Sequence, residues 1–427
     1  MNYITKVKVQ NFFSVKDEIE LDFTASEYSI DYNKERLFYD KSNYTNKLLA
    51  FYGANASGKT TILKSIVWFA YFVSNSNQKE FPDAHSNIYA DDNMPSYIEL
   101  YFLHEDREFI YRLDLNYDKF SNIKSVKNEI LKIKKGNEYK VLFNRAEEIF
   151  KNLDFEDNNS LLFDELSLNS SLLNESRSRM KDYRSLYNFF IEITENSNIS
   201  GSSKIDLNID EKDMRLLTFS LLDKENIKIM SNHIQIDIEE AFIKHCLEFN
   251  RFLFKVLSLL GTDITKAKVT IDTEKSKEIG TELSFSHKIN LNKYLPFDLE
   301  SNGTKMLIKL IYQIFETYKS KSILIIDELD SLIHPLIVPI LNLLTIKLNI
   351  QMFYSTHNVS NMKYLYNDEI YLIEKDENHN TQIKDLKEYD GYENFEKLYR
   401  NSLLGGVPSI EDINFDFIDD LEEVDGK

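Results

Sequence analysis

The chain is almost without cysteine: Cys246 is the only one in 427 residues. An internal disulfide is therefore excluded, and a reducing compartment is expected. No apolar run is long enough to span a bilayer. Residues 1–10 alternate and carry Lys6 and Lys8, without the apolar core of a signal peptide, so a cytoplasmic location is expected. There is no internal repeat, and no heptad pattern lasts long enough for a long coiled coil. Net positive charge is also missing: 51 Lys and Arg face 70 Asp and Glu, a formal charge of −19. Such a surface repels phosphate backbones at long range, so any nucleic-acid contact would need a local basic patch.

What is present is ordinary for a soluble globular protein, with 42% hydrophobic and 28% charged residues. The length exceeds what one compact core usually holds, which predicts two packed lobes. Ile19, Leu21 and Phe23 alternate with Glu20 and Asp22 at the period of a half-buried strand. Residues 48–52 form a short apolar run, followed by a Gly-rich turn and a helical pattern through Ile62, Ile66, Phe69 and Val73. Residues 75–93 are polar and predict a loop. Residues 97–115 look like strands again, with Phe109, Tyr111, Leu113 and Leu115 on one face. Residues 129–143 predict a strand pair around Gly136-Asn137.

From about residue 145 to 260 the pattern turns helical, interrupted at 196–203, with the best helix at 236–260. Strand-like segments return at 323–326, 351–355 and 369–374, alternating with helical stretches such as 335–348, which argues a mostly parallel sheet. The predicted class is α/β: a core with a mixed sheet, divided as residues 1–145 and 263–427, with a mainly helical lobe inserted at 146–262. Asp416, Asp419, Asp420, Glu422, Glu423 and Asp425 predict a solvated acidic tail.

Gly53-Ala54-Asn55-Ala56-Ser57-Gly58-Lys59-Thr60 fits G-x-x-x-x-G-K-[ST]. Glycines let backbone N–H groups wrap phosphates, and the helix that follows points its positive end at them. Lys59 adds a point charge for the β- and γ-phosphates, Thr60 a hydroxyl for Mg²⁺, and Thr61 is counted with the loop. ATP and Mg²⁺ are the expected ligands. Residues 323–326 form an apolar strand that ends in two carboxylates. Asp327 is expected to hold Mg²⁺ through water, and Glu328 to orient or deprotonate the attacking water.

Ser301 and Gly303, with Lys305, open another helical pattern. Alone this is a helix cap; it is also a form of anion site. Asp330 follows Glu328 closely, and His357 stands just past a strand end, where a histidine can reach a γ-phosphate. The basic residues Lys124, Lys127, Lys132, Lys134 and Lys135, with Arg177, Arg179, Lys181 and Arg184, suit either a solvated face or a DNA contact.

Together these motifs resemble the ABC-class ATPases of the SMC/Rad50/OLD branch. More narrowly, they resemble the stand-alone AAA15/AAA21-type prokaryotic ATPases, many associated with anti-phage defence and abortive infection. The resemblance rests on residues 9–15, the P-loop, Phe285-Ser286-His287-Lys288, residues 300–305, 327–335, 355–357, 370–375 and Gly405-Gly406-Val407-Pro408, in that order. It does not cover the helical lobe. It implies a nucleotide sandwich in which Lys59 and Thr60 of one copy face Ser301 and Gly303 of another, with Asp330 at the boundary. Leu332 departs from the Ser common at that place, and Gln78 is the nearest candidate for a Q-loop glutamine. OLD-type nucleases carry a further TOPRIM domain, for which residues 375–427 are too short, so the chain is not expected to be a nuclease itself.

The expected function is an ATPase that pairs head to tail, as a homodimer or larger homo-oligomer, and controls a partner effector (nuclease or toxin) in defence. A DNA-clamping repair ATPase and a slowly hydrolysing nucleotide-gated scaffold are the alternatives. No membrane partner is expected.

Overall fold

The computed structural model describes residues 1–40, 43–74, 84–117, 123–144, 176–198, 240–272, 280–387, 389 and 394–404. Gln78, residues 405–408 and the acidic tail lie outside them. So do the side chains of Lys124, Arg177, Arg179 and Lys181.

Four sheets are present among these residues. The first has six strands, β1 (Asn2–Gln10), β2 (Ile19–Asp22), β6 (Ser96–His104), β7 (Arg107–Tyr117), β8 (Ile123–Lys135) and β9 (Glu138–Asn144), in the order β2-β1-β6-β7-β8-β9. Every neighbouring pair in it is antiparallel. The hairpin expected at Gly136-Asn137 joins β8 to β9, and Gly136 supplies the positive φ (68°) that such a turn needs.

The second sheet has the order β10-β14-β15-β5-β16-β17, from β5 (Leu48–Tyr52), β10 (Ser197–Asn198), β14 (Ile323–Ile326), β15 (Gln351–Ser355), β16 (Ile370–Lys375) and β17 (Thr381–Asp385). All its pairs are parallel except β16 with β17. The parallel sheet is thus as expected, but a fully antiparallel one stands beside it. The expected break in the helices at 196–203 holds where it is described, since the preceding helix ends at Glu195 and Ser197 and Asn198 pair with Ile325 and Ile326 at the sheet edge; residues 199–203 lie outside the described residues. Smaller sheets are β3 (Leu37–Asp40) with β4 (Asn43–Asn46), and β11 (Ile264–Asp272), β12 (Gly280–His287) and β13 (Asn290–Pro296) in that order.

The parallel strands are buried on both faces, and their side chains alternate between two cores. Leu49, Phe51, Ile323, Ile325, Phe353, Tyr371 and Ile373 face the first core; Leu48, Ala50, Tyr52, Leu324, Ile326, Met352, Tyr354, Ile370 and Leu372 face the second. Helix α1 (Glu27–Tyr32) follows β2, and the first core lies between the two large sheets and encloses helix α2 (Lys59–Ser74). Because α2 is sandwiched, Leu63, Val67, Trp68 and Phe72 are buried along with the predicted stripe, and the helix is apolar nearly all round.

Of the expected insertion 146–262, helices α3 (Ser176–Glu195) and α4 (Glu240–Leu259) are described. Leu186, Phe189, Phe190 and Ile193 of α3 join the first core, and Phe249, Leu253 and Leu257 of α4 join the second. Helices α5 (Asn302–Ser320), α6 (Leu329–Leu332) and α7 (Val338–Lys347) cover the second face, and α8 (Phe395–Arg400) packs near residues 359–364. Among the described residues no helix is long and apolar enough to cross a membrane.

Candidate nucleotide site

The motifs meet at the carboxyl ends of β5, β14 and β15, where open parallel sheets place their ligand crevices. β5 ends at Tyr52, the loop 53–58 follows, and α2 begins at Lys59. Two glycines are dictated by packing. A Cβ on Gly53 would lie 2.1 Å from the Ile373 carbonyl oxygen of β16. Gly58 sits at φ +113°, and a Cβ there would lie 2.5 Å from Thr381 Oγ1. Asn55 and Ala56 form the exposed tip, with Ala56 at φ 60°.

Lys59 is only 5% exposed, and its Nζ donates to the carbonyl oxygens of Gly53 (3.0 Å) and Ala54 (2.9 Å). Burial pulls its pKa below the ordinary lysine value, against the opposing fields of Asp327, Glu328 and Asp330. The Ser57 hydroxyl is buried without a hydrogen-bond partner among the described residues.

Asp327 is buried at the end of β14, and its Oδ2 accepts from Thr60 Oγ1 at 2.8 Å. Its Oδ1 accepts from the hydroxyl of Ser355, which in turn accepts from Glu328 N at 2.7 Å. Glu328 adopts a left-handed conformation (φ 51°, ψ 50°) that breaks the strand and starts α6. The Asp330 carboxylate accepts from the backbone N of His357 at 3.1 Å, so the histidine turn after β15 is tied to the turn after β14. His357 itself is exposed. Thr61 is turned another way, accepting from Ser14 Oγ at 2.9 Å.

Ser301, Gly303 and Lys305 are not joined to this cluster by hydrogen bonds among the described residues. Ser301 caps α5, accepting from Thr304 N at 3.1 Å, and Lys305 Nζ donates to Asp298 O at 2.7 Å. Gly303 is exposed, and a Cβ there would meet nothing closer than Ser301 Oγ at 4.0 Å. Just upstream, Glu300 accepts from His287 Nε2 at 2.8 Å, while His287 Nδ1 lies 3.1 Å from Asp263 Oδ1. Burial favours the neutral imidazole, but hydrogen bonds to Asp263 and Glu300 outweigh it and raise the His287 pKa. The 285–288 segment therefore anchors the start of α5 to the small sheet.

A family model described as "AAA domain, putative AbiEii toxin, Type IV TA system" matches residues 48–361. The chain belongs to this family. Among solved structures, an Smc head bound to the C-winged-helix domain of ScpA is similar at 13% identity and TM-score 0.50, over 90% of this chain and 97% of that one. A Pyrococcus furiosus Smc head with an extended coiled coil, bound to the C-terminal domain of ScpA, scores 0.45 at 14% identity, over 90% and 96%. The Thermotoga maritima SMC head domain scores 0.39 at 15% identity, over 90% and 98%. No curated protein matches. The fold is that of an ABC-class P-loop ATPase head of the SMC/Rad50 type.

For this AAA-domain protein the donor set suits a nucleotide with Mg²⁺. Thr60 and Asp327 offer hard oxygen ligands side by side, and Mg²⁺ usually takes one or two protein oxygens with phosphates and water completing its shell. Among the described residues no group of three His, Cys, Asp or Glu forms an all-protein metal cage. The orphaned Ser57 hydroxyl and the inward-turned Lys59 are donors already within the phosphate loop.

Two participants had no role assigned from the sequence. Thr381 donates to Ser14 Oγ (3.0 Å) and Ser57 O (3.2 Å), bracing the back of the loop from β17. No local pattern marks it. Ser355 stood inside the histidine motif without a role. Of the basic candidates, Lys134 forms an ion pair with Glu108 at 2.7 Å.

Proposed function

We propose that this chain hydrolyses ATP at a site completed by a second copy bound head to tail, and that the cycle holds or releases a partner effector in anti-phage defence. The observation that carries the pairing is Gly303. Its Cβ position is open, so nothing among the described residues of its own chain requires glycine there. A glycine at an exposed helix start suits the close approach of a backbone to a ligand from outside. Ser301, Gly303 and Lys305 would thus face the γ-phosphate held by the other copy, with Asp330 at the boundary.

Within one copy, the backbone N–H groups of residues 53–58 would cradle the phosphates and Lys59 would neutralise them. Thr60 and Asp327 would hold Mg²⁺, which would supply positive charge against the phosphates. Glu328 would accept the proton of the attacking water as its oxygen bonds to the γ-phosphorus and the bond to the bridging oxygen breaks. His357 would hydrogen-bond the γ-phosphate. ATP favours the paired form because only that form makes contacts from both copies, so binding shifts the population and hydrolysis resets it.

The effector reading is supported by the family description, which names a toxin and a type IV toxin–antitoxin system. The net charge of −19 weighs against DNA as the partner. The region 146–262 would choose the effector, in the cytoplasm. Light scattering tests the pairing: Mg·ATP should double the mass of the chain, and full turnover by a species that stays monomeric would contradict the composite site.

A further inference from the structure

We infer that Ser355 is a positioning residue that sets both adjoining carboxylates for their separate tasks; this rests on the roles given above to Asp327 and Glu328. Ser355 is the last residue of β15 and is fully buried. Its hydroxyl donates to Asp327 Oδ1 and accepts from Glu328 N at 2.7 Å. The other Asp327 oxygen is taken by Thr60 at 2.8 Å. The metal-binding carboxylate is therefore gripped by two hydroxyls, one from α2 and one from β15. Its rotation about the Cβ–Cγ bond is opposed from both sides.

The second effect falls on Glu328. In a continuing strand, neighbours point to opposite faces of the sheet, and Asp327 and Glu328 would serve different sides. The left-handed turn at Glu328 breaks that alternation. Such a conformation is costly for a residue with a Cβ and persists only where its surroundings hold it. Here the preceding peptide is held at Glu328 N by Ser355. The following one is held at Glu328 O by Ser331, through both its N and its Oγ, each at 2.8 Å. One hydroxyl thus orients the Mg²⁺ ligand and fixes the backbone of the general base. A hydroxyl is uncharged, so it holds the carboxylate without neutralising it as an ammonium would.

Ser355→Ala tests this, with calorimetric nucleotide binding across a Mg²⁺ titration alongside turnover. ATP binding without Mg²⁺ should equal wild type. The Mg²⁺ concentration for half-maximal binding should rise, and kcat should fall, each by about 10- to 100-fold, as for other residues that orient metal ligands. KM for ATP should move far less than kcat. Ser355→Thr, which keeps the hydroxyl, should restore both.

If the alanine variant fails to fold, Ser355→Thr against Ser355→Val makes the same comparison at equal shape. Wild-type Mg²⁺ dependence and kcat in Ser355→Ala, or in Ser355→Val, would overturn the proposal. Asp327→Asn separates the two levels. If it abolishes Mg²⁺ dependence while Ser355→Ala does not, only the Ser355 role fails. If wild type shows no Mg²⁺-dependent binding, the reading of Asp327 fails and takes the proposal with it.

Discussion

Glu328→Gln should bind Mg·ATP as wild type does, turn it over about 10² to 10⁴ times more slowly, and accumulate as the ATP-bound pair. The amide keeps the size of the carboxyl and can still touch the water, but it cannot take the proton. The backbone contacts of residue 328 do not involve its side chain: Ser355 Oγ holds its N–H, and Ser331 holds its carbonyl. The left-handed turn should therefore survive. Single-turnover quenching with size measurement on the same sample checks this. Wild-type turnover would remove Glu328 from the base role, and lost binding would show that the charge serves the nucleotide.

Lys59→Ala should abolish measurable ATP binding while leaving the protein folded. A charge-assisted hydrogen bond contributes about 1.5–3 kcal/mol, and Lys59 is expected to make such bonds to two phosphates. The loss in affinity is then at least about 100-fold, roughly 3 kcal/mol at 1.4 kcal/mol per tenfold. The folding side differs. Lys59 is 5% exposed as a residue and burial depresses its pKa, so the fold already holds the ammonium against a desolvation cost. Removing it relieves that cost and gives up two bonds to loop carbonyls. Calorimetry with ATP and a melting curve separate the two effects. Undiminished affinity would sink the assignment of the loop.

What the sequence made legible were the contiguous features. The strand–loop–helix order around Gly53 and Lys59 and the apolar strand ending in Asp327-Glu328 are local patterns, and the structure has them where expected. Alternation in residues 48–52 and 323–326 was invisible, because strands buried on both faces are apolar throughout and two cores are needed to see which residue faces which. The helix after the P-loop read as a stripe, yet it is enclosed by two sheets. Long-range hydroxyl contacts left no trace: Thr381 meets Ser14 across 367 positions of chain. Ser355 sits in a motif whose histidine draws the eye, and only the folded sheet brings its hydroxyl to Asp327. The link from His287 to Glu300 lay between two quoted segments whose partnership needed β12 and the start of α5 to meet.

The central claim is that two copies share each site, and mixing two dead variants tests it most directly. Ser301→Arg should fill the exposed start of α5 with a bulky cation and block hydrolysis, and Lys59→Ala should do so by losing the nucleotide. In a two-fold pair, each copy lends its loop to one site and its α5 start to the other. A mixed pair therefore contains one site with both faults and one with neither. Turnover should be near zero for each variant alone and should return on mixing, with one working site per mixed pair. If the mixture stays as inactive as its parents although mixed pairs form, each copy works by itself and the composite site is wrong.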